Sequence, residues 1–404
     1  MSSGTLTTEL PGAGLVPDPA WREAAEAVAA VASEHADQAD RDAAFPAAAL
    51  AEMRRTRLLG LPVPVEHGGW GGGFTELADA TIALARADMT TALVFAMHCQ
   101  QATAVVRHGD PQLLRDLLPT LARGEIYLGS VTTEPGTGGQ LLTSESPLQE
   151  SGGTLVIDRV APVVTGGRHA DAFLVTMRSA GAASPTQVDL VYAARDHLEV
   201  EVTGGWDPLG MRATESVPLR LRGAVPATHL IGGPGGFPDI AAGLFGPVAH
   251  IGWAAAWLGT AAGALARVIR YVRGQSGPRG LDVSSPLVLS NLAVIRERVD
   301  TVHALLRHTL RVVADEETRH GAVSSTSARL LVNTLKTRAS EECFAAVNGL
   351  VELVGLRHGY LKGSPTGLER AFRDLRSASL NFANDRLRTA DGAMALRDVS
   401  VRLV

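Results

Sequence analysis

Apolar positions recur at helical spacing through the first third of the chain. From Trp21 to about Leu59 the alanines, valines and leucines repeat with the helical period, and Asp79 to Ala87 and Thr91 to His108 continue it. Pro111 suits the first turn of a helix and predicts one from there to about Ala122. Between Tyr127 and about Leu230 the texture changes to short runs such as TLVIDRV, AFLVTM, VDLVYAA and VPLRLRG. They are rich in β-branched residues and broken by Gly, Pro and Ser clusters, as antiparallel strands are. After the loop Ile231 to Phe237, long helical stretches run almost to the carboxyl end, with breaks near Gly274 to Pro286 and Gly321 to Ser325. One β block between two helical blocks predicts an α+β fold rather than alternating βαβ units. The boundaries expected are a helical domain over 1–125, a β-domain over 126–236 and a helical bundle over 237–404.

Composition narrows the function classes. A chain of 404 residues can bury a large core, and its net charge of −5 offers no basic surface for nucleic acid. The two cysteines, Cys99 and Cys343, lie far apart in no C-x-x-C spacing, so neither a disulfide framework nor a metal site is expected. The first forty residues lack the basic start and apolar run of a secretory signal. The apolar run Ile251 to Ala266 is Ala/Gly-rich with His250 and Arg267 at its edges, and it reads as a buried bundle helix rather than a membrane span. A cytoplasmic protein is the expectation. The glycines of GGWGGG and GGPGGF lack the dinucleotide-binding order, and no P-loop, H-E-x-x-H or G-x-S-x-G occurs.

Four segments in order carry a resemblance: PVPVEHGGWGGG (Pro62 to Gly73), TTEPGTGG (Thr132 to Gly139), DPLGMRATES (Asp207 to Ser216) and AFRDLRSASLNFANDRL (Ala371 to Leu387). Together they resemble the acyl-CoA dehydrogenase superfamily of flavoproteins, which implies a helical amino-terminal domain, a central antiparallel β-domain and a carboxyl-terminal four-helix bundle. In that family the Arg-Asp-x-Arg run is followed by a turn bearing the glutamate that removes the α-proton of an acyl thioester. Here that turn reads Asn381, Phe382, Ala383, Asn384, and a phenyl ring cannot accept a proton. The resemblance implies flavin contacts from Val131, Thr132 and Thr133, with Gly138 in the same segment, and from Val164 and Thr165 in PVVTGG, with Thr165 donating toward the flavin N5 and O4. It also implies that a neighbouring subunit's cofactor is reached by Arg273, Glu352 and Gly355. There the usual Phe-Gly is missing and Glu352 replaces a glutamine, which predicts a softened clamp.

No glutamate base and a loose cofactor grip match a two-component monooxygenase, which takes reduced FAD or FMN from a separate reductase and uses O2 to place one oxygen on a small substrate. AMHCQQA (Ala96 to Ala102), VRHG, GWDPLGMRATES and LLVN (Leu330 to Asn333) look like the amino-sugar nitrososynthase branch. The alternatives are an acyl-CoA or acyl-carrier-protein dehydrogenase with a relocated base, and a catalytically silent homologue. Candidate catalytic groups are His98 and His250, whose imidazoles titrate near neutrality, with Asn381, Phe382 and Asp385 on the carboxyl-terminal turn. Each has a plain alternative: core histidines, strand threonines with satisfied hydroxyls, and an Asp385 that caps a helix or pairs with Arg386. Arg373 and Arg376 are expected to pair with Asp374 and Glu369. The Ala/Gly-rich helix from about Pro247 to Arg270 offers a small-residue face for a homodimer or homotetramer.

Overall fold

The computed structural model describes residues 19–136, 140–274 and 281–398. Five helices lead: α1 (Trp21–Asp42), α2 (Ala47–Arg55), α3 (Phe74–Ala87), α4 (Met89–His108) and α5 (Pro111–Ala122). Asp88 and Asp110 cap α4 and α5 by accepting the Thr91 and Gln112 amides, and Pro111 occupies the first turn of α5 as expected.

Two four-stranded sheets follow. One pairs β1 (Leu128–Val131), β4 (Ala172–Arg178), β5 (Val188–Ala194) and β8 (Leu230–Ile231) in that order, and the other pairs β2 (Gln149–Ser151), β3 (Thr154–Ala161), β7 (Leu219–Pro226) and β6 (Leu198–Val202). The strands were expected to be antiparallel; β1 and β4 run parallel, with Leu128 opposite Ala172. The segment between them, which contains β2 and β3, is long enough for the crossover a parallel pair needs. On β3 the inward positions Leu155, Ile157, Arg159 and Ala161 alternate with outward ones, the pattern of a sheet with one solvated face.

The last third holds α6 (Phe237–Ile240), a π-helical turn (Ala241–Phe245), α7 (Gly246–Arg273), α8 (Pro286–His320), α9 (Thr326–Gly355), α10 (Leu368–Leu375) and α11 (Asn384–Ala395). Helices α7, α8 and α9 pack together, while α10 and α11 both pack on α9. The fourth member of the bundle is thus broken in two by the turn that carries Phe382. The run Phe237–Arg273 is long and apolar enough to cross a membrane, but 83% of its most apolar window is buried in the fold, as in a core helix.

The small residues of α7 serve this chain's own packing. A Cβ at Gly259 would stand 2.7 Å from both Ala85 Cβ and Ile82 O on α3, and one at Gly263 would stand 2.6 Å from Arg86 O. They let α7 lie against α3, so they are not a free face for a second subunit. Gly259→Val is expected to lower unfolding free energy by about 1–3 kcal/mol through overpacking. Gly205→Ala, where an added Cβ meets nothing within 4 Å, should stay within about 0.5 kcal/mol of wild type when both variants are unfolded in urea.

Candidate active site

A cavity of 1030 Å³ opens where the β1 end, α4, the π-helical turn, α7, α9 and the α10–α11 turn converge. A drug-sized ligand site spans about 300–1,000 Å³, so this one has room for an isoalloxazine ring and a small substrate together. Its body is apolar, formed by Leu93, Met97, Phe245, Trp253, Val332 and Phe382 among others. Among the described residues no aspartate or glutamate lines it; its ionisable groups are His250 and four arginines.

The β-domain supplies a polar rim. Thr133 Oγ1 donates to Val163 O at 3.0 Å and accepts the Val163 amide at 3.3 Å, so it ties two loops together. Thr132 lines the cavity with only a 3.5 Å contact to Ser130. Thr165 Oγ1 lies 3.1 Å from Ser216 Oγ, Ser216 donates to Thr214 at 2.8 Å, and Thr214 donates to Met211 O at 2.8 Å. A carbonyl can only accept and each hydroxyl has one proton, so the chain runs one way and Thr165 must donate to Ser216. Thr165 was expected to donate into the site; it presents lone pairs there instead. Val131 and Val164 are wholly buried in the core and do not line the cavity, so any contact they make is through backbone. Gly138 lies outside the described residues.

The TEP glutamate holds this rim in place. Glu134 accepts the Glu145 and Ser146 amides at 2.9 and 3.0 Å, accepts the Ser146 hydroxyl, and pairs with Arg159, which is fully buried. Burial pushes its carboxyl up, but the bonds from Ser146, Arg159 and Glu145 outweigh that and hold it below its ordinary value.

Two expectations separate at the histidines. His98 is fully buried and absent from the cavity wall: its Nε2 meets Leu59 O at 2.8 Å and its Nδ1 accepts the Leu128 amide at 3.0 Å. Both ring nitrogens are spent pinning α4 to β1, and burial pulls its pKa to about 4, so it remains neutral. In this structure His98 therefore serves the fold and does not reach the cavity. His250 does line the cavity. Its Nδ1 lies 3.0 Å from Asn333 Oδ1, and Asn333 donates its amide to Asp391 at 2.6 Å. An amide oxygen accepts only, so Nδ1 carries the proton and Nε2 keeps its lone pair, with no partner among the described residues. Burial first, then the charge of Lys336, lowers the ring's pKa to about 4 against the Asn333 bond.

On the carboxyl-terminal turn, Asn381 and Phe382 line the cavity, and Phe382 holds a left-handed φ of 51°. Its ring lies 6.0 Å from His250, which is 5.7 Å from Trp253. Asp385 is exposed in the first turn of α11, off the cavity and unpaired with Arg386; there it complements the helix dipole. Arg373 pairs with Glu369 at 2.8 Å, as expected, and with Asp40 at 2.6 Å, but not with Asp374, which accepts the Met211 amide at 2.6 Å. Among the described residues Arg376 pairs with no carboxylate: it lies 5.9 Å over the Phe344 ring and opens on the cavity, as do Arg329 and Arg386. Arg273 and Glu352 are exposed, and neither they nor Gly355 reach the cavity of their own chain. Tyr271 OH, 2.9 Å from His358, ties that end of α7 to the turn after α9.

Lys336 and Trp253 were not singled out from sequence, Arg386 was named only as a partner for Asp385, and Asn333 only as the end of a segment. Asn333 closes the LLVN segment, which was a signal, but its link to His250 spans 83 positions and appears only in three dimensions.

Residues 19–125 match the family model of the acyl-CoA dehydrogenase N-terminal domain, and residues 251–386 that of its C-terminal domain. Amino sugar nitrososynthase RubN8 of Streptomyces rubradiris is 33% identical over 202 residues, 48% of this chain and 46% of that protein, so the match spans about half the length of that relative. Dibenzothiophene monooxygenase of Rhodococcus qingshengii is 24% identical across 85% of each chain. The structure of TdsC from Paenibacillus sp. A11-2 with FMN and indole superposes with a TM-score of 0.84 at 23% identity, covering 94% of this chain and 98% of that one. With both family domains matched over more than half of its length and this fold around the cavity, the chain belongs to the acyl-CoA dehydrogenase superfamily of flavin-dependent oxidoreductases.

Proposed function

We propose that the protein is a flavin-dependent monooxygenase that uses reduced flavin and O2 to oxygenate a small, largely apolar substrate. The observation that carries this reading is that no carboxylate lines the cavity among the described residues, with Phe382 standing where the resemblance places the dehydrogenases' base. Bound reduced flavin supplies the two electrons that split O2, one oxygen going to the substrate and the other leaving as water. The residues present fit such a group. Thr132 and Thr165 offer hydroxyl oxygens to the polar edge of the ring, and Arg329, Arg376 and Arg386 offer guanidinium donors to a nucleotide phosphate. The lone pairs that Thr165 turns to the cavity would accept from a ring N–H, a donor that reduction adds to the flavin. Trp253 and Phe382 exclude water from the reacting face, and His250 Nε2 accepts a hydrogen bond from a substrate N–H or O–H.

FAD or FMN then arrives as a co-substrate from a partner reductase in the cytoplasm. The exposed Leu356, Tyr360 and Leu361 beside Arg273 and Glu352 suit a second copy of the chain, in a homodimer or homotetramer.

The purified protein is expected to be colourless and to bind reduced FMN or FAD at least about tenfold more tightly than the oxidised form, a difference of about 1.4 kcal/mol. Equilibrium titration under anaerobic and aerobic conditions reads this directly. Straight-chain acyl-CoAs with an artificial electron acceptor should give negligible turnover. Retained oxidised FAD together with rapid thioester oxidation would instead establish a dehydrogenase, and failure to bind either redox form would leave a silent homologue.

A further inference from the structure

Two facing rows of side chains run from the cavity wall, where His250, Trp253 and Asn333 lie, into the helix pair behind it. His250, Trp253 and Trp257 stand three and four residues apart on α7, and Asn333, Lys336 and Ser340 do the same on α9, which packs against it. Asn333 meets His250, and the Lys336 ammonium lies 5.7 Å from the Trp257 ring centroid. Lys336 is fully buried, which lysine almost never is without an ionic partner. Its Nζ donates to Phe382 O and to Asn384 Oδ1, both at 2.8 Å. Asn384 in turn donates to Ser340 Oγ at 3.0 Å and to Glu341 at 3.2 Å. The carbonyl that Lys336 holds thus belongs to the residue whose left-handed backbone costs a non-glycine side chain energy.

We propose that Lys336 is a positioning residue for this cavity: it clamps the Phe382 turn by its carbonyl, and its charge, one helical turn from Asn333, adds to burial in holding the His250 ring unprotonated. The second half rests on the acceptor role given to His250 above. Burial lowers the pKa of Lys336 to about 8, with Glu341 raising it and Arg388 lowering it, so the ammonium is mostly charged at neutral pH. The groups that face His250 from the elements around it are Lys336 and Asn333 on α9, Trp253 on α7 and Phe382 on the turn, with Asp391 of α11 behind Asn333.

Histidine ring-proton NMR titration of the full-length protein separates the two effects, with His250→Gln assigning the resonance. Lys336→Gln keeps a donor for Phe382 O and loses the charge, so His250 is expected to titrate on the order of one pH unit higher than in the wild type. Lys336→Met loses both, and in it the Asn381 and Asn384 amides are expected to exchange with solvent about tenfold faster. Asn384→Ala keeps the charge and should leave the His250 titration in place. An unmoved His250 in folded Lys336→Gln, or a shift in Asn384→Ala as large as that in Lys336→Gln, would overturn the electrostatic half. Unchanged amide exchange in Lys336→Met would overturn the clamp. If His250→Gln retains full turnover while the NMR shift is observed, the acceptor role of His250 fails and the coupling to Lys336 stands.

Discussion

His250→Gln is expected to lower substrate oxygenation about 10²-fold while leaving the affinity for reduced flavin within twofold of wild type. Glutamine can still donate to Asn333 Oδ1, so the wall of α7 and α9 should be preserved while the basic Nε2 is lost. General-base contributions run about 10²–10⁴-fold, and a ring whose pKa is about 4 belongs at the lower end because it attracts a proton only weakly. The same low value sets the pH dependence. A group that works unprotonated loses its function as pH falls through its pKa, so wild-type turnover should be flat between pH 6 and 8 on the acidic side and fall only near pH 4. Steady-state oxygenation with a saturating reductase, read beside a flavin titration, checks both. A His250→Gln enzyme with wild-type turnover would remove His250 from the site.

Glu134→Ala is expected to cost about 3–5 kcal/mol of unfolding free energy, because it leaves the Arg159 guanidinium buried without its ion-pair partner. It also strips acceptors from the Glu145 and Ser146 amides, so the segment carrying Thr132 and Thr133 should loosen and flavin affinity should fall along with stability. The double variant Glu134→Ala with Arg159→Met should recover part of the loss, since no buried charge is then unpaired. Glu134 is held below its ordinary carboxyl pKa of 4.5 in the fold. Its contribution is therefore present above that value and lost as pH falls below it. Urea unfolding of the wild type and both variants at pH 7 and pH 4 tests the sign: the gap between wild type and Glu134→Ala should narrow at the lower pH. A gap that is small at pH 7 would show that the TEP glutamate is dispensable for the fold.

The succession of periods along the chain determined the helix, strand and helix order, because hydrophobic spacing records which side of each segment is buried, and that is a local property. Pro111 marked a helix start for the same reason. The exchange of glutamate for Phe382 was equally plain, since a missing carboxylate needs no coordinates. Tertiary structure alone decided what these residues do. Nothing near His98 in sequence indicates that Leu59 and Leu128 occupy both its nitrogens, or that Asn333 and Asp391 fix the His250 proton. The polarity of Thr165 is set by a carbonyl 46 residues away, read through two intervening hydroxyls. Lys336 looks like an ordinary helical lysine until the Phe382 turn folds over it. Segments far apart in the chain meet at the cavity, and a side chain's chemistry there depends on which donor or acceptor it meets, a choice that periodicity does not encode.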